Sequence, residues 1–443
     1  MIWPEGRGPD QVSPLGDIMP QASAAIPWPS GRGQWRLTLH WRPYSSQLLQ
    51  NTGIVELTNA RSRKLDQGLN AAATLTFTLN GLDPAAQQLR ELAQEVVAWR
   101  WDTNTGQDVA MFRGPICQAQ DQLTEQSYTI NITCHDYVDL YSRRLTTFAA
   151  PYTISQMDQD NIVTTLMTWA DHPNTAGTPW TTPPVAARSL IPGSYLPLNR
   201  LLVDPSGATR GLSTVLRDRS YTGQTTIGEA LSNLSAVVNG FDYDVLPGGR
   251  ASMGDSLRIF YPYQGILRTS PVLHYGTTVS TVDRTVQSAN YGNYWRVIGN
   301  AGEDANAPQI YGEAYNADAY TGSQGSVGLW MSGDNASDVS IQSTLDAQAW
   351  GDLQAGGILV PSYSLGLRPG FYSPTLFQMG DVLPLVLVIG RLNINTNIRV
   401  VGISYDIGDD GQEDVSLTVG RPDVTFAQLM QGPVRDINAL ARR

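Results

Sequence analysis

The sequence predicts a mainly β protein with a few short helices, an α+β fold in which two β-barrel-like modules accompany a mixed middle region. Many short runs alternate Thr or Val with other residues in the two-residue period of strands. Forty-two glycines and 27 prolines supply turns between these runs. Only a few segments have helical periodicity. A chain of 443 residues is too long for one ordinary core, so we expect several domains.

Pattern and composition divide the chain into five segments. Residues 1–33 have no periodicity and predict an extended N-terminal arm, in which Trp3 and Trp28 either anchor on a neighbour or lie over the chain's own domain. The other segments are a first β-barrel module at 34–148, a mixed α+β middle domain at 149–290, a second barrel-like β module at 291–423 and a C-terminal tail at 424–443.

The first module opens with a strand in which Trp35, Leu37 and Leu39 alternate with polar residues. A short helix at Pro84–Leu92 is placed to plug one open side of the barrel. The sequence "DTNTGQ" predicts a hairpin turn. The remaining strands are predicted at Ile54–Leu57, Ala73–Leu79, Val96–Trp101, Val109–Ile116 and Ser127–Cys134.

The middle domain combines two helices with strands. In the first helix, "DNIVTTLMTWAD", the apolar residues Ile162, Leu166 and Trp169 have helical spacing. In the second, Thr226 and Glu229 form a capping box. The apolar stripe of this helix is Ile227, Leu231, Leu234 and Val238, and Gly240 is predicted to end it. The strands "FDYDVL" and "SLRIFYP" follow, and the Pro- and Ser-rich stretch Pro173 to Asp218 predicts a long surface excursion.

The last third repeats the first in outline. A helix is predicted at 337–357, with Ile341, Leu345, Ala349 and Leu353 at four-residue spacing. Four strands follow, "ILVPSYSLGL", "GDVLPLVLVIG", "NIRVVGISYDIG" and "DVSLTVG", the last two joined at "GDDGQE". This second helix-plus-barrel unit indicates that two related modules flank a divergent middle.

Charge and hydropathy exclude several function classes. Lys64 is the only lysine among 29 basic residues, which leaves little room for Schiff-base or P-loop chemistry. A formal charge of -11 argues against tight nucleic-acid binding, although DNA could slide past such a surface. No apolar run reaches the roughly 18 residues of a membrane span, and the N-terminus does not resemble a signal peptide. We therefore expect a soluble protein made in a cytoplasm.

Two cysteines are expected to stay unpaired. Cys117 and Cys134 fall on successive strands around a turn near Thr124, and this register would place Cys117 opposite about Asn131. The two sulfur atoms would then be too far apart to bond, so we expect free, buried thiols.

The chemical motifs are weak, and we predict no catalytic, cofactor-binding or metal-binding residues. The histidines at 40, 135, 172 and 274 have no zinc-site spacing. In "CHD" at 134–136, Cys134 and Asp136 share one strand face while His135 points to the other. Paired carboxylates of a glycosidase stay open, since sequence spacing does not exclude them. Clustered carboxylates could also hold calcium. The acidic run is Asp406, Asp409, Asp410, Glu413 and Asp414, and a hairpin tip explains it as well.

The order of these elements resembles that of phage tail-hub proteins, the baseplate-hub family shared by siphophages and contractile tails. The segment from "ATLTFTLNGLDPAAQQL" through "FRGPICQAQDQL" to "SYTINITCHDYVDLYSRRL" resembles the family's first tube domain. "TTIGEALSNLSAVVNGFDYDV" is similar to the helix-strand step that follows it, and "FQMGDVLPLVL" with "RVVGISYDIGDDGQEDVSLTVG" to parts of the second tube domain. More narrowly, the chain resembles minor tail proteins of siphophages with actinobacterial hosts.

The resemblance implies a structural, non-enzymatic protein of the virion tail tip, assembled in the host cytoplasm. Three copies would form a ring with pseudo-six-fold symmetry that lines the DNA ejection channel and joins the distal tail protein ring to the tip. Its other partners would be the tape measure protein and further tail-tip or fibre proteins, to which receptor binding and wall digestion are left. Genomic DNA would pass without specific binding. The alternatives are a tail-associated cell-wall hydrolase, a carbohydrate-binding adhesin and a hexameric distal tail protein.

Overall fold

The structure of the chain is a computed structural model. It describes residues 34–41, 54–102, 106–145, 152–171, 215–236, 240–247, 256–261, 263–286, 288, 291–299, 310–317, 327–336, 342–357, 359 and 361–420. The predicted arm, the C-terminal tail and most of the predicted excursion lie outside these residues, so they stay predictions.

The described chain is mainly β, as the sequence predicts. The strands are β1 Trp35–Trp41, β2 Val55–Glu56, β3 Arg61–Gly68, β4 Thr74–Asn80, β5 Gln94–Asp102, β6 Gln107–Leu123, β7 Tyr128–His135, β8 Tyr152–Asp158, β9 Leu216–Tyr221, β10 Asp242–Leu246, β11 Ser256–Phe260, β12 Leu273–His274, β13 Val279–Val286, β14 Tyr294–Gly299, β15 Tyr311–Tyr315, β16 Met331–Ala336, β17 Pro361–Leu367, β18 Val382–Ile389, β19 Leu392–Ile407 and β20 Glu413–Gly420. The helices are α1 Tyr137–Ser142, α2 Gln159–Asp171, α3 Ile227–Ser235 and α4 Gln342–Gly356.

Thirteen of the described strands form one continuous sheet that curls into a half-barrel. Its hydrogen-bonded order is β13-β17-β20-β19-β3-β4-β7-β6-β5-β1-β2, with β18 on the N-terminal half of β19 and β12 on β18. The central pairing joins β3 to β19, whose facing residues are more than 300 positions apart in the sequence. One apolar core underlies both halves, with Phe77, Ile132, Leu365 and Leu417 all buried in it.

Within this sheet the chain contains a structural repeat. The consecutive strands β4, β5, β6 and β7 have 7, 9, 17 and 8 residues, and β17, β18, β19 and β20 have 7, 8, 16 and 8. In both sets the first strand pairs with the fourth, the second with the third and the third with the fourth, always antiparallel. The two modules expected from the sequence therefore lie side by side in one sheet.

A bulge repeats at the same place in both modules. The register of β6 against β7 shifts at Cys117, and that of β19 against β20 shifts at Val401. Each bulged residue lies six residues before the last residue of its strand. A bulge bends a strand and increases its twist, which lets one long strand leave one partner and join the next. The position of the bulge fixes which residues of the two modules are equivalent.

The rest of the described chain forms two smaller units with their own cores. Helices α1, α2 and α3 pack with the β8-β9 and β10-β11 pairs, and Ile162, Leu166, Leu231 and Leu234 are buried between them. The predicted capping contact is present at α3, where the Thr226 Oγ1 accepts from the Glu229 N–H at 3.1 Å. The side chains of Trp169 and Val238 lie outside the described residues.

The predicted helix at 337–357 exists as α4 but does not belong to the second module's sheet. It packs on the three-stranded sheet β15-β14-β16 with Leu345, Ala349 and Leu353 buried. In contrast, β12 and β13, which fall inside the range predicted for the middle domain, pair with β18 and β17. Domain boundaries stay a prediction.

Three local expectations are wrong. The predicted helix Pro84–Leu92 is only a 3-10 turn at Ala86–Gln88, because Leu92 has a left-handed φ of 59° and donates its N–H to Ile116 of β6. The turn still covers the core with Ala85, Ala86 and Leu89. The excursion predicted to end at Asp218 already contains part of β9, which begins at Leu216.

The third expectation concerns the cysteine register. Asn131 faces Gln120 rather than Cys117, because the β6-β7 turn centres further along the chain and Cys117 is bulged. Neither cysteine forms a disulfide, but only Cys134 is buried as expected, while Cys117 is half-buried. Burial raises the pKa of Cys134 well above its ordinary value, and Cys117 adds to the effect.

No helix among the described residues is both long and apolar enough to cross a membrane.

Candidate functional surface

One face of the large sheet is polar. In the first module, alternate residues of β4, β6 and β7 point away from the core, and they are mostly Thr, Asn and Gln. They are half-exposed or exposed, whereas the residues between them on β4 and β7 are buried. This set comprises Thr74, Thr76, Thr78, Gln118, Gln120, Gln122, Thr129, Asn131, Thr133 and His135.

The second module presents an equivalent set. Ser362 and Ser364 of β17 and Ser416 and Thr418 of β20 alternate with buried Tyr, Leu and Val residues. Through the repeat, Thr418 occupies the place of Thr133. Both modules therefore turn the same chemical face, hydroxyls and amides, to the same side of the sheet.

The pairing of β3 with β19 makes the two faces one surface, which we call the polar face. Asp66 lies opposite Ser404 and Lys64 opposite Asp406 across this seam. The Ser404 hydroxyl donates to the Asp66 carboxylate, and the Lys64 Nζ lies 2.9 Å from the same carboxylate. Eight strands, β3, β4, β7, β6, β13, β17, β20 and β19, contribute to the polar face.

The polar face is weakly acidic. On these strands its carboxylates are Asp66, Asp283, Asp406 and Asp414, and its cations are Lys64 and Arg61. Both cations sit on the single strand β3. The face therefore offers no stripe of cations that could hold a phosphate backbone.

A buried ion pair joins the two modules beneath the polar face. The Arg100 guanidinium of β5 donates to both carboxylate oxygens of Glu413, at 3.0 Å from Nε and 2.5 Å from Nη2. Trp35 Nε1 donates to Glu413 Oε2 at 2.6 Å. Burial works to lower the pKa of Arg100, but the hydrogen bond and charge of Glu413 outweigh it, so this pKa is raised. A bidentate pair of this kind fixes geometry as well as charge.

Glu413 belongs to the acidic run for which calcium binding was an alternative. Asp410 of the same run takes part in the hairpin that precedes β20. Asp410 accepts from the Gln412 N–H at 3.1 Å, and Gly411 has a φ of 81°, as a tight hairpin tip requires. Arg63 donates to the Gly408 carbonyl at 2.6 Å. Among the described residues no group of three or more His, Cys, Asp or Glu side chains is placed to hold a metal ion.

A second buried cluster, the Asp242 junction, ties the middle region to the sheet. Asp242 of β10 accepts from Arg399 of β19, from the Gln264 N–H at 2.7 Å and from Asn70 Nδ2 at 2.9 Å. Arg399 also donates to the carbonyls of Gln264 and Gly380, at 3.0 and 3.2 Å. Four chain segments therefore meet at one carboxylate.

Within the part of the chain that the structure describes, the histidines and the CHD triplet do not form a reactive group. His135 points to the polar face and lies 3.1 Å from the Thr74 hydroxyl, whereas Cys134 is in the core. Asp136 lies past the end of β7 and caps α1 by accepting from the Val138 N–H at 2.9 Å. His274 is exposed on β12, and His172 lies outside the described residues.

No family model matches the chain, and neither does the sequence of any curated protein. Its fold, however, is similar to those of two solved tail proteins. The 43 kDa tail protein of prophage MuSo2 from Shewanella oneidensis aligns with a TM-score of 0.53 at 11% identity, over 88% of this chain and 99% of that one. The tail protein from Neisseria meningitidis MC58 aligns with a TM-score of 0.51 at 11% identity, over 88% and 99% of the two chains. The chain therefore shares the fold of these two tail proteins.

Proposed function

We propose that the chain is a structural hub protein of a phage tail tip, and that three copies form a ring lining the DNA ejection channel. The observation that carries this proposal is the repeated module beneath one polar face. A chain that contributes two equivalent modules to a threefold ring gives six similar positions around the axis. Such a ring matches a six-fold ring of distal tail protein above it. The similarity of the chain's fold to those of two tail proteins supports the same role.

The size of the sheet supports a channel rather than a packed core. Each module supplies four strands to the polar face. Six modules would supply roughly 24 strands, and at about 4.8 Å per strand these close into a circle at least about 37 Å across. Strand tilt widens it further. After side chains are allowed for, the remaining bore accommodates a DNA duplex.

The chemistry of the polar face supports passage rather than retention. Tight DNA binding needs Lys and Arg to replace the counterions of the phosphates. The polar face instead carries hydroxyls, amides and a small excess of carboxylates. A weakly repulsive wall lowers the dwell time of passing DNA.

In this role the protein needs no active site, and its work is to connect other proteins. We place it in the virion tail, at the tip, with the distal tail protein ring on one side and fibre or other tip proteins on the other. The tape measure protein would occupy the bore before the genome does. The siphophage assignment and assembly in the host cytoplasm belong to the same proposal.

The test is the mass and shape of the assembled protein. Mass photometry of the purified full chain and of assembled tails is expected to give three copies, and electron microscopy to give a ring with the polar face toward its bore. Only monomers would favour the adhesin or the hydrolase. A six-copy ring would favour a distal tail protein. A three-copy assembly with the polar face turned outward would also overturn the proposal.

A further inference from the structure

The eight strands of the polar face end in two edges at which the described residues provide no partner strand. One is β13, whose only strand partner among these residues is β17, apart from a bridge between Val279 at its start and Tyr275. The other edge is formed by residues 118–123 of β6. They pair with β7 on one side and with no described strand on the other. Leu123 is 76% exposed and Val286 is 37% exposed, although monomeric proteins usually protect such edges with Pro or Lys.

The repeat shows what pairs with such an edge. Residue for residue, 118–123 of β6 correspond to 402–407 of β19, because both stretches follow the bulge. Residues 402–407 are not an edge, since β3 pairs with them in antiparallel register, with Tyr405 opposite Leu65. The equivalent of β3 in the second module is β13, because β3 pairs with β4 and β13 pairs with β17.

We propose that β13 of one copy adds to residues 118–123 of β6 in a second copy, with the register of the β3-β19 seam. This inference rests on the proposed function and names the contact that closes the ring. Leu65 pairs with Leu75, which in turn faces Cys134. Arg284 pairs with Tyr363, which faces Val419. Cys134 and Val419 are equivalent residues of the repeat, so Leu65 corresponds to Arg284. The pairs across the new seam are Ala119 with Val286, Gln120 with Thr285, Asp121 with Arg284, Gln122 with Asp283 and Leu123 with Val282.

The residues brought together are chemically complementary. Asp121 meets Arg284 at the centre of the seam, and apolar pairs flank it on the same face. Gln and Thr face each other on the opposite side, which continues the polar face without a break. The repeat fixes this register from backbone pairing alone, so the match of charge and hydrophobicity is an independent observation in its favour.

Within one chain the two edges are not paired with each other, because the sheet curls only into a half-barrel. Seven strand-to-strand steps separate β6 from β13 along the sheet, which is roughly 34 Å at about 4.8 Å per step. The partner is therefore another copy. The contact is head-to-tail and generates a closed ring when its rotation closes.

Disulfide trapping tests the register. In a Cys117→Ser background, the chain would carry Gln120→Cys with Thr285→Cys, a directly opposed pair. The matched control carries Gln120→Cys with Asp283→Cys, which is displaced by two residues and lies about 7–8 Å apart on the same face. After mild oxidation, denaturing gels are expected to show covalent dimers and trimers, with no larger species, for the first variant and at most a trace for the control.

Charge reversal provides a second readout that does not depend on cysteine. Asp121→Arg and Arg284→Asp should each weaken assembly at least about tenfold, because like charges would face each other. The double variant should recover most of the assembly. Both side chains are exposed, so the folded chain should keep its circular dichroism spectrum. Asp139→Arg, a reversal at a surface ion pair on α1, should leave assembly unchanged.

The outcomes separate this inference from the proposed function. Trimers that form with no cross-link at the opposed pair, or with preference for the displaced pair, would overturn the seam and leave the hub proposal standing. A chain that stays monomeric would overturn both. Failure of the double charge variant to recover assembly would count against Asp121 and Arg284 as partners.

Discussion

Asp242→Asn is expected to loosen the junction between the middle region and the sheet. The carboxylate of Asp242 is 3% exposed and accepts from Arg399, the Gln264 N–H and Asn70. Replacing one oxygen by an NH2 group leaves the 3% exposed Arg399 without its counter-charge and sets one donor against another. Breaking a buried pair from one side costs about 3–5 kcal/mol. The substitution should therefore release β10 from the sheet well before the sheet itself unfolds.

Hydrogen exchange measured by mass spectrometry reports this opening locally. At 3 kcal/mol, amides of residues 242–246 should exchange at least about a hundredfold faster than in the parent protein. Residues of β4 and β7 should be unaffected, because their hydrogen bonds do not depend on the junction.

Two comparisons make the test selective. Asp244→Asn, two residues along the same strand, removes a more exposed ion pair with Arg258, whose side chain is 25% exposed, and should cost at most about 1 kcal/mol. Asp242→Asn combined with Arg399→Met removes both charges and should restore part of the protection, since no buried charge is then left without its partner. Equal effects of Asp242→Asn and Asp244→Asn, or unchanged exchange in β10, would refute the reasoning.

Three further substitutions test the rest of the architecture. Glu413→Gln should cost about 2–3 kcal/mol in urea denaturation because Arg100 loses a bidentate partner, and a cost below about 0.5 kcal/mol would contradict a joining role. Burial, then the charge of Asp334, raises the pKa of Asp352 to about 7. Because this folded pKa exceeds the unfolded value of about 3.9, its contribution to stability falls as pH rises from about 4 to 7. Asp352→Asn should flatten that slope in thermal melts, and an unchanged slope would exclude this group. Gly265→Ala should lower the melting temperature, since Gly265 has a φ of 90° and an added Cβ would lie 2.1 Å from the Gly380 backbone.

The sequence predicted strands well where burial alternates. In β4, β7 and β20 apolar residues alternate with polar ones, and these apolar residues are buried except for the half-buried Tyr128. Strand β3, "RSRKLDQG", has no such alternation and was missed. It becomes a strand because β19 and β4 pair with it on both sides, so tertiary hydrogen bonding outweighs its weak local preference.

Only part of the polar face could be predicted from the sequence, because alternation is a local pattern and the pairing of β3 with β19 is not. Alternation alone assigns Thr129, Asn131 and Thr133 to the face opposite the core. It does not reveal that Ser416 and Thr418, almost 300 residues later, continue the same face. That continuity depends on one long-range seam, and no local pattern encodes which edges meet. The repeat was visible in outline, but its exact register needed the two bulges.

The use of arginine explains how an arginine-rich chain can present an acidic face. Many of the described arginines form ion pairs within the fold, and six of them have a carboxylate partner that is at most 12% exposed. These pairs are Arg36 with Asp108, Arg100 with Glu413, Arg113 with Glu95, Arg258 with Asp244, Arg268 with Asp381 and Arg399 with Asp242. A planar guanidinium suits this task better than an ammonium, because it binds both carboxylate oxygens and carbonyls at once. Cations that hold strands and regions together are removed from the surface. What stays on the polar face is therefore a surplus of carboxylates among neutral hydroxyls and amides, so the charge that stabilises the fold and the charge offered to passing DNA are set by separate residues.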